Sequence, residues 1–171
     1  MVVTAEQSID LRGSLTAGRN LNISAGSTVV PGTESIRTYG TSKLRSVHGG
    51  EIRIRGVNDV IINSTIGPGS GDLSLIELAS TSGNLLVARE SGRIETGTQL
   101  NFVGHNVEIA GVVASTRATA ATADFEIRID IGGNATIHGD LALAGSMLVK
   151  AATIDIYEQR LIVRGPTQKL R

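Results

Sequence analysis

A short unit recurs through the chain and limits what it can become: glycine, one spacer residue or none, Asn or Gln, then apolar-x-apolar. Its copies are Gly18-Arg19-Asn20-Leu21-Asn22-Ile23, Gly83-Asn84-Leu85-Leu86-Val87, Gly97-Thr98-Gln99-Leu100-Asn101-Phe102, Gly104-His105-Asn106-Val107-Glu108-Ile109 and Gly133-Asn134-Ala135-Thr136-Ile137. A longer echo lies at an offset of 79 residues, where Gly13 to Ile23 matches Gly92 to Phe102 in both glycines, the Leu-Asn pair and the aliphatic positions. Units this short cannot bury an apolar face alone, so repetition implies that they bury it against one another.

A second unit is a period-two strand closed by glycine, in which alternate side chains face a core. It occurs at Ile9 to Leu15, Val107 to Val113 and Leu141 to Met147, with a partial copy at Ile52 to Gly56. The run Phe125 to Ile131 is the clearest strand, apolar at odd positions and charged at even ones. Short strands with glycine corners suit a sandwich, a barrel or a solenoid. Sandwich hairpins favour Asn-Gly or Asp-Gly turns, and the chain has neither dipeptide. Instead each Asn stands immediately before a strand, where it tolerates a corner and can hydrogen-bond to an identical Asn one layer away. This favours a coiled parallel sheet: an all-β parallel β-helix (β-solenoid) of six to eight coils.

Composition agrees. The 171 residues are 40% hydrophobic with 21 Gly, but only 2% aromatic, the rings being Tyr39, Phe102, Phe125 and Tyr157. A thin core of stacked Ile, Val and Leu needs few rings and can still be dense. Sixteen basic residues cancel sixteen acidic ones, which announces no electrostatic partner, and the absence of Cys excludes disulfides and thiolate metal sites. No apolar run approaches the roughly 20 residues of a membrane helix, and Met1 to Glu6 lacks the basic and apolar regions of a signal peptide. The N-terminus reads as the cut end of something longer.

Residues 1–163 are expected to form one β-solenoid domain, with residues 164–171 a flexible tail. The 34-residue separation of the units at 107 and 141 suggests two coils of about 17. Pro31 to Gly50 is expected to be a coil with a protruding loop, with further loops at 67–72 and 114–123, where binding specificity would reside. Neither end carries an amphipathic helix to cap the stack, so flanking coils or end-to-end self-association are the expected partners.

Chemistry is sparsely signalled. Asp124, Glu126 and Asp130 share a strand face and could gather a cation or act as an acid-base pair, but alternating charge with Arg128 between them reads as a solvated face. His48, His105 and His138 adjoin glycines at corners and could form a metal or proton-transfer site only if coil phase brought them together. Gly67-Pro68-Gly69-Ser70-Gly71 lacks the Lys-Ser/Thr ending of a phosphate loop, and no Gly-x-Ser-x-Gly occurs. The sequons at Asn22, Asn63 and Asn134 carry little weight in a chain rich in Asn, Ser and Thr. Arg37, Lys43 and Arg45 could meet an anionic glycan or lipid headgroup. No catalytic, cofactor or metal residues are assigned, and the chain is expected not to be an enzyme.

The stretch Gly18 to Gly26, with echoes at Gly97 to Gly104 and Gly132 to Gly139, resembles the repeats of filamentous haemagglutinin-like exoproteins and related bacterial surface adhesins. The resemblance implies a right-handed parallel β-helix that is a non-catalytic structural or adhesive segment, secreted or on a bacterial surface, with a glycan or host-surface ligand and neither nucleic acid binding nor membrane insertion. Val107 to Val113 and Gly139 to Leu143 are similar to bactofilins, which would imply a cytoplasmic self-polymerising filament. A polysaccharide-acting β-helix is a third expectation; it would need carboxylates such as Asp72 beside a groove.

Overall fold

The computed structural model describes residues 1–30, 32–68, 73–96, 99–115, 127–143 and 146–157, and the backbone of 161–163. The expected tail at 164–171, the centre of the expected loop at 114–123, and Asp72, Asp124, Phe125 and Glu126 lie outside them. Among the described residues there is no helix.

The first layer is β1 (Val2–Ala5), β2 (Ile9–Leu11) and β3 (Leu15–Ala17), and the second is β4 (Leu21–Ala25), β5 (Glu34–Thr38) and β6 (Lys43–Ser46). Above them come β7 (Glu51–Gly56), β8 (Asp59–Ile62) and β9 (Thr65–Pro68), then β10 (Leu75–Ser80), β11 (Asn84–Val87) and β12 (Arg93–Thr96). The upper layers are β13 (Gln99–Gly104), β14 (Asn106–Ile109) and β15 (Val112–Ser115); β16 (Ile127–Ile131), β17 (Asn134–Ile137) and β18 (Asp140–Leu143); and β19 (Met147–Lys150), β20 (Thr153–Ile156) and β21 (Leu161–Val163). Every third strand pairs, giving three sheets of seven strands: sheet A from β1 to β19, sheet B from β2 to β20 and sheet C from β3 to β21. Every pairing is parallel. The chain is a parallel β-solenoid, about 30 Å tall at roughly 4.8 Å per layer.

Alternation along each strand creates the core. In sheet A, Leu21, Ile52, Ile76, Leu100, Ile127 and Met147 stand in register as one inward column. Ile23, Ile54, Leu78, Phe102 and Ile129 form the next, all at most 1% exposed. Sheet B contributes Ile36, Val60, Leu85, Val107 and Ala135, and sheet C contributes Leu44, Ile66, Ile94, Val113 and Leu141. Phe102 is the ring among the largest fully buried side chains, so aliphatic packing carries the core as the composition implied.

Register explains the 79-residue echo. Leu21 stands under Ile52, Ile52 under Ile76 and Ile76 under Leu100, steps of 31, 24 and 24 residues that together make three coils. The expected 17-residue coil is corrected. Val107 pairs with Ala135 and Val113 with Leu141, each a step of 28, so the copies at 107 and 141 lie on sheets B and C. All three faces share one inward-outward alternation, and the pattern alone does not label the face.

The stretch 31–50, expected as a coil with a protruding loop, carries the strands β5 and β6. Its inward positions include Ser35, Thr38, Ser42 and Ser46, all at most 1% exposed, so the apolar alternation that marks a strand is broken there. Corner backbone satisfies these hydroxyls. Ser35 Oγ accepts from Asn58 N and Thr38 Oγ1 from Asn63 N, each at 2.8 Å, while Ser42 Oγ donates to Tyr39 O and Ser46 Oγ to Arg19 O. The long step of the second coil passes through the corner at 26–33, where Gly26 takes φ +92°, a conformation side-chain-bearing residues rarely adopt. Asn58 holds this corner by accepting from Val30 N at 2.8 Å and donating to Thr28 O at 3.2 Å. Of the shorter loops, Gly67 and Pro68 close β9, and Ala114 and Ser115 belong to β15.

Corners between sheets B and C stack backbone on backbone. A methyl at Gly111 would lie 2.1 Å from Gly92 O, and one at Gly139 would lie 1.9 Å from Gly111 O. Only glycine lets the layers close at this spacing.

Candidate functional site

The Asn positions divide between two corners. Asn20 and Gln99 lead into sheet A, whereas Asn84, Asn106 and Asn134 open β11, β14 and β17 of sheet B. The latter form a ladder one residue wide. Asn84 N donates to Asp59 Oδ1 at 2.7 Å, Asn106 Nδ2 to Asn84 Oδ1 at 2.8 Å, Asn134 N to Asn106 Oδ1 at 2.8 Å and Thr153 Oγ1 to Asn134 Oδ1 at 2.7 Å. Like-on-like amide stacking at the corner, expected from sequence, is therefore present. Each amide uses its oxygen to bind the next layer, so the ladder's first role is structural. It also lines a shallow groove of ≈ 330 Å³ with Ile61, Leu86 and Glu108, an open amide-and-aliphatic surface without an aromatic ring.

Coil phase keeps the histidines apart. His48 follows β6 at a sheet C to A corner, His105 lies between β13 and β14 at an A to B corner, and His138 lies between β17 and β18 at a B to C corner. The requirement for convergence is not met. His138 Nε2 is 2.8 Å from Glu108 Oε1, a surface pair linking ladder face to corner. No group of three His, Cys, Asp or Glu able to hold a metal occurs among the described residues.

Asp130 lies on the outer face of β16, where Arg128 Nη2 donates to its Oδ2 at 2.8 Å. That hydrogen bond is the main reason its carboxyl titrates below the usual carboxylate range, with Lys150 adding to the effect. Asp130 is thus held ionised, the state of a solvated charge pair; a proton donor would need the opposite shift.

The basic trio is divided by the fold. Arg37 points out from sheet B and is paired with Glu34, which raises its pKa chiefly through their hydrogen bonds, whereas Lys43 and Arg45 belong to sheet C. The sequon asparagines are built into the stack: Asn22 is within β4, Asn63 accepts from Ser91 Oγ, and Asn134 is in the ladder. In the glycine-rich segment, Gly67 is pressed against Glu95, its absent methyl 2.9 Å from Glu95 Cβ.

Sequence reasoning found the ladder but missed Asp59 and Thr153 at its ends, because neither shares the Asn signal. It also missed Asn58, whose value lies in contacts 28 and 30 residues away along the chain. No family model, curated protein or solved structure matches the chain. What the residues and coordinates establish together is the architecture: a repeat-built parallel β-solenoid of three sheets.

Proposed function

We propose that the chain is a non-catalytic structural or adhesive segment of a filamentous haemagglutinin-like exoprotein, extracellular or on a bacterial surface. The observation that carries this reading is the continuity of all three sheets through every layer, with aliphatic columns that reach both edge layers. At the upper edge Ile154 and Ile156 continue the columns of Ala135 and Ile137, yet each is 48% exposed. At the lower edge β1, β2 and β3 each have one partner strand. Sheet edges of this kind are templates for further parallel pairing, supporting continuation onto flanking coils.

The same edges support a second reading, a bactofilin-like polymer in which one copy continues another. Electron microscopy of the purified chain separates the two: discrete particles about 30 Å long support the segment reading, and long unbranched filaments support the polymer. Depolymerisation of an acidic polysaccharide by the purified chain would overturn the non-catalytic reading.

A further inference from the structure

Charge is segregated on one face although the chain is neutral overall. The first two layers of sheet C with their corners, residues 12–20 and 39–50, contain Arg12, Arg19, Lys43, Arg45 and His48 and not one Asp or Glu; Arg12, at the margin, lies 4.0 Å from Asp10 Oδ2. Register gathers them. Lys43 N donates to Ser14 Oγ at 3.1 Å, Arg45 pairs with Thr16, and His48 N donates to Gly18 O at 2.9 Å, beside Arg19. Leu44 and Ser46 point inward from β6, so Lys43 and Arg45 point out, with Thr65 and Gly67 opposite them in the next layer.

Most arginines elsewhere among the described residues are neutralised: Arg37, Arg53, Arg55, Arg93 and Arg128 each have a carboxylate within 2.9 Å. Lys43, Arg45 and Arg19 have no ion pair among the described residues. The nearby anion on this face, Glu95, is committed to Arg93 at 2.9 Å. Like charges gathered without counter-charge repel one another, and an anionic ligand relieves that repulsion.

We propose that this face binds a linear acidic polysaccharide, with carboxylate or sulfate groups on Lys43, Arg45 and Arg19 and sugar hydroxyls on Ser14, Thr16 and Thr65. The neighbouring groups select this class. Outward residues Thr16, Lys43, Arg45, Thr65 and Gly67 include no apolar side chain to enter a lipid surface. The ring at the margin, Tyr39, has one face taken by the Arg12 guanidinium 4.9 Å from its centroid, and residues 12–20 and 39–50 contain no second Phe, Tyr or Trp ring on which successive bases could stack. The proposal rests on the adhesive part of the function given above.

The test titrates the purified chain with dextran sulfate, polygalacturonate and neutral dextran, and in parallel with phosphatidylserine vesicles and duplex DNA. The expected result is binding of the two acidic glycans, absent for neutral dextran and weakening with salt. Replacing Lys43→Gln with Arg45→Gln should weaken it about tenfold or more and lower the log-log salt slope by ~1–2, as for lost phosphate contacts on other polyanions. Removing equal charge from sheet A with Arg53→Gln and Arg55→Gln should change affinity less than about threefold, since those cations are already paired. Equal losses from both pairs, tighter binding to vesicles or DNA, or no glycan binding would each overturn the proposal. Circular dichroism checks folding, and Arg19→Gln, at an exposed corner, provides a second variant with the same expected direction. Discrete particles without glycan binding would sink this site and leave the segment reading standing.

Discussion

Replacing Asn106→Ala tests whether the amide ladder holds the layers together. The change removes the Asn106 Nδ2 bond to Asn84 Oδ1 and the acceptor for Asn134 N, both at 2.8 Å. A net hydrogen bond contributes about 1 kcal/mol. Asn134 is exposed, so its freed N–H can turn to water and the full penalty of a buried orphan does not apply. The expected loss is therefore ~1–2 kcal/mol. With a urea dependence of about 2 kcal/mol per molar, that lowers the unfolding midpoint by roughly 0.5–1 M. Far-UV circular dichroism is the appropriate readout because the chain has no Trp. Thr136→Ala is the control: it lies on the same face, paired with Glu108, and should cost less than about 0.5 kcal/mol. Asn84→Ala combined with Asn106→Ala should fall short of additivity by ~0.5–1 kcal/mol, because the two residues share one bond. A midpoint for Asn106→Ala no lower than that of Thr136→Ala, or strict additivity in the double variant, would refute the ladder as a source of stability.

Glycine substitutions should separate by position. Gly111→Ala drives a methyl to 2.1 Å from the Gly92 carbonyl oxygen and should cost upwards of ~2 kcal/mol, whereas Gly13→Ala meets nothing within 4 Å and should be neutral or slightly stabilising in the same urea titration. The Asp130 carboxyl, held below its ordinary range by the Arg128 hydrogen bond, favours folding at pH above the usual carboxylate range and loses that contribution as pH falls through its folded-state midpoint. Carbon-detected NMR titration should show the low midpoint, and Arg128→Gln should move it up; an unchanged midpoint in that variant would remove the assigned cause.

Much of the architecture is legible in the residues because its causes are local. Period-two alternation in Ile127 to Ile131 fixes an inward and an outward side. An Asn opening each of β11, β14 and β17 supplies an amide ladder, and glycines at corners such as Gly92, Gly111 and Gly139 permit backbone to approach backbone. Repetition of these features leaves stacking as the way to bury every apolar face. The long coil was less legible because Ser35, Thr38, Ser42 and Ser46 fill inward positions with hydroxyls whose partners lie 3 to 27 residues away.

What tertiary structure alone decided is phase. The face on which a residue emerges depends on how many residues every preceding corner absorbs, and sheet A steps range from 20 to 31 residues between layers. These increments accumulate along the chain and leave no mark in any single repeat. Phase sent three similar glycine-flanked histidines to three different corners and divided Arg37 from Lys43 and Arg45. It also brought Arg19 beside His48, assembling a cationic face in a chain whose charges sum to zero.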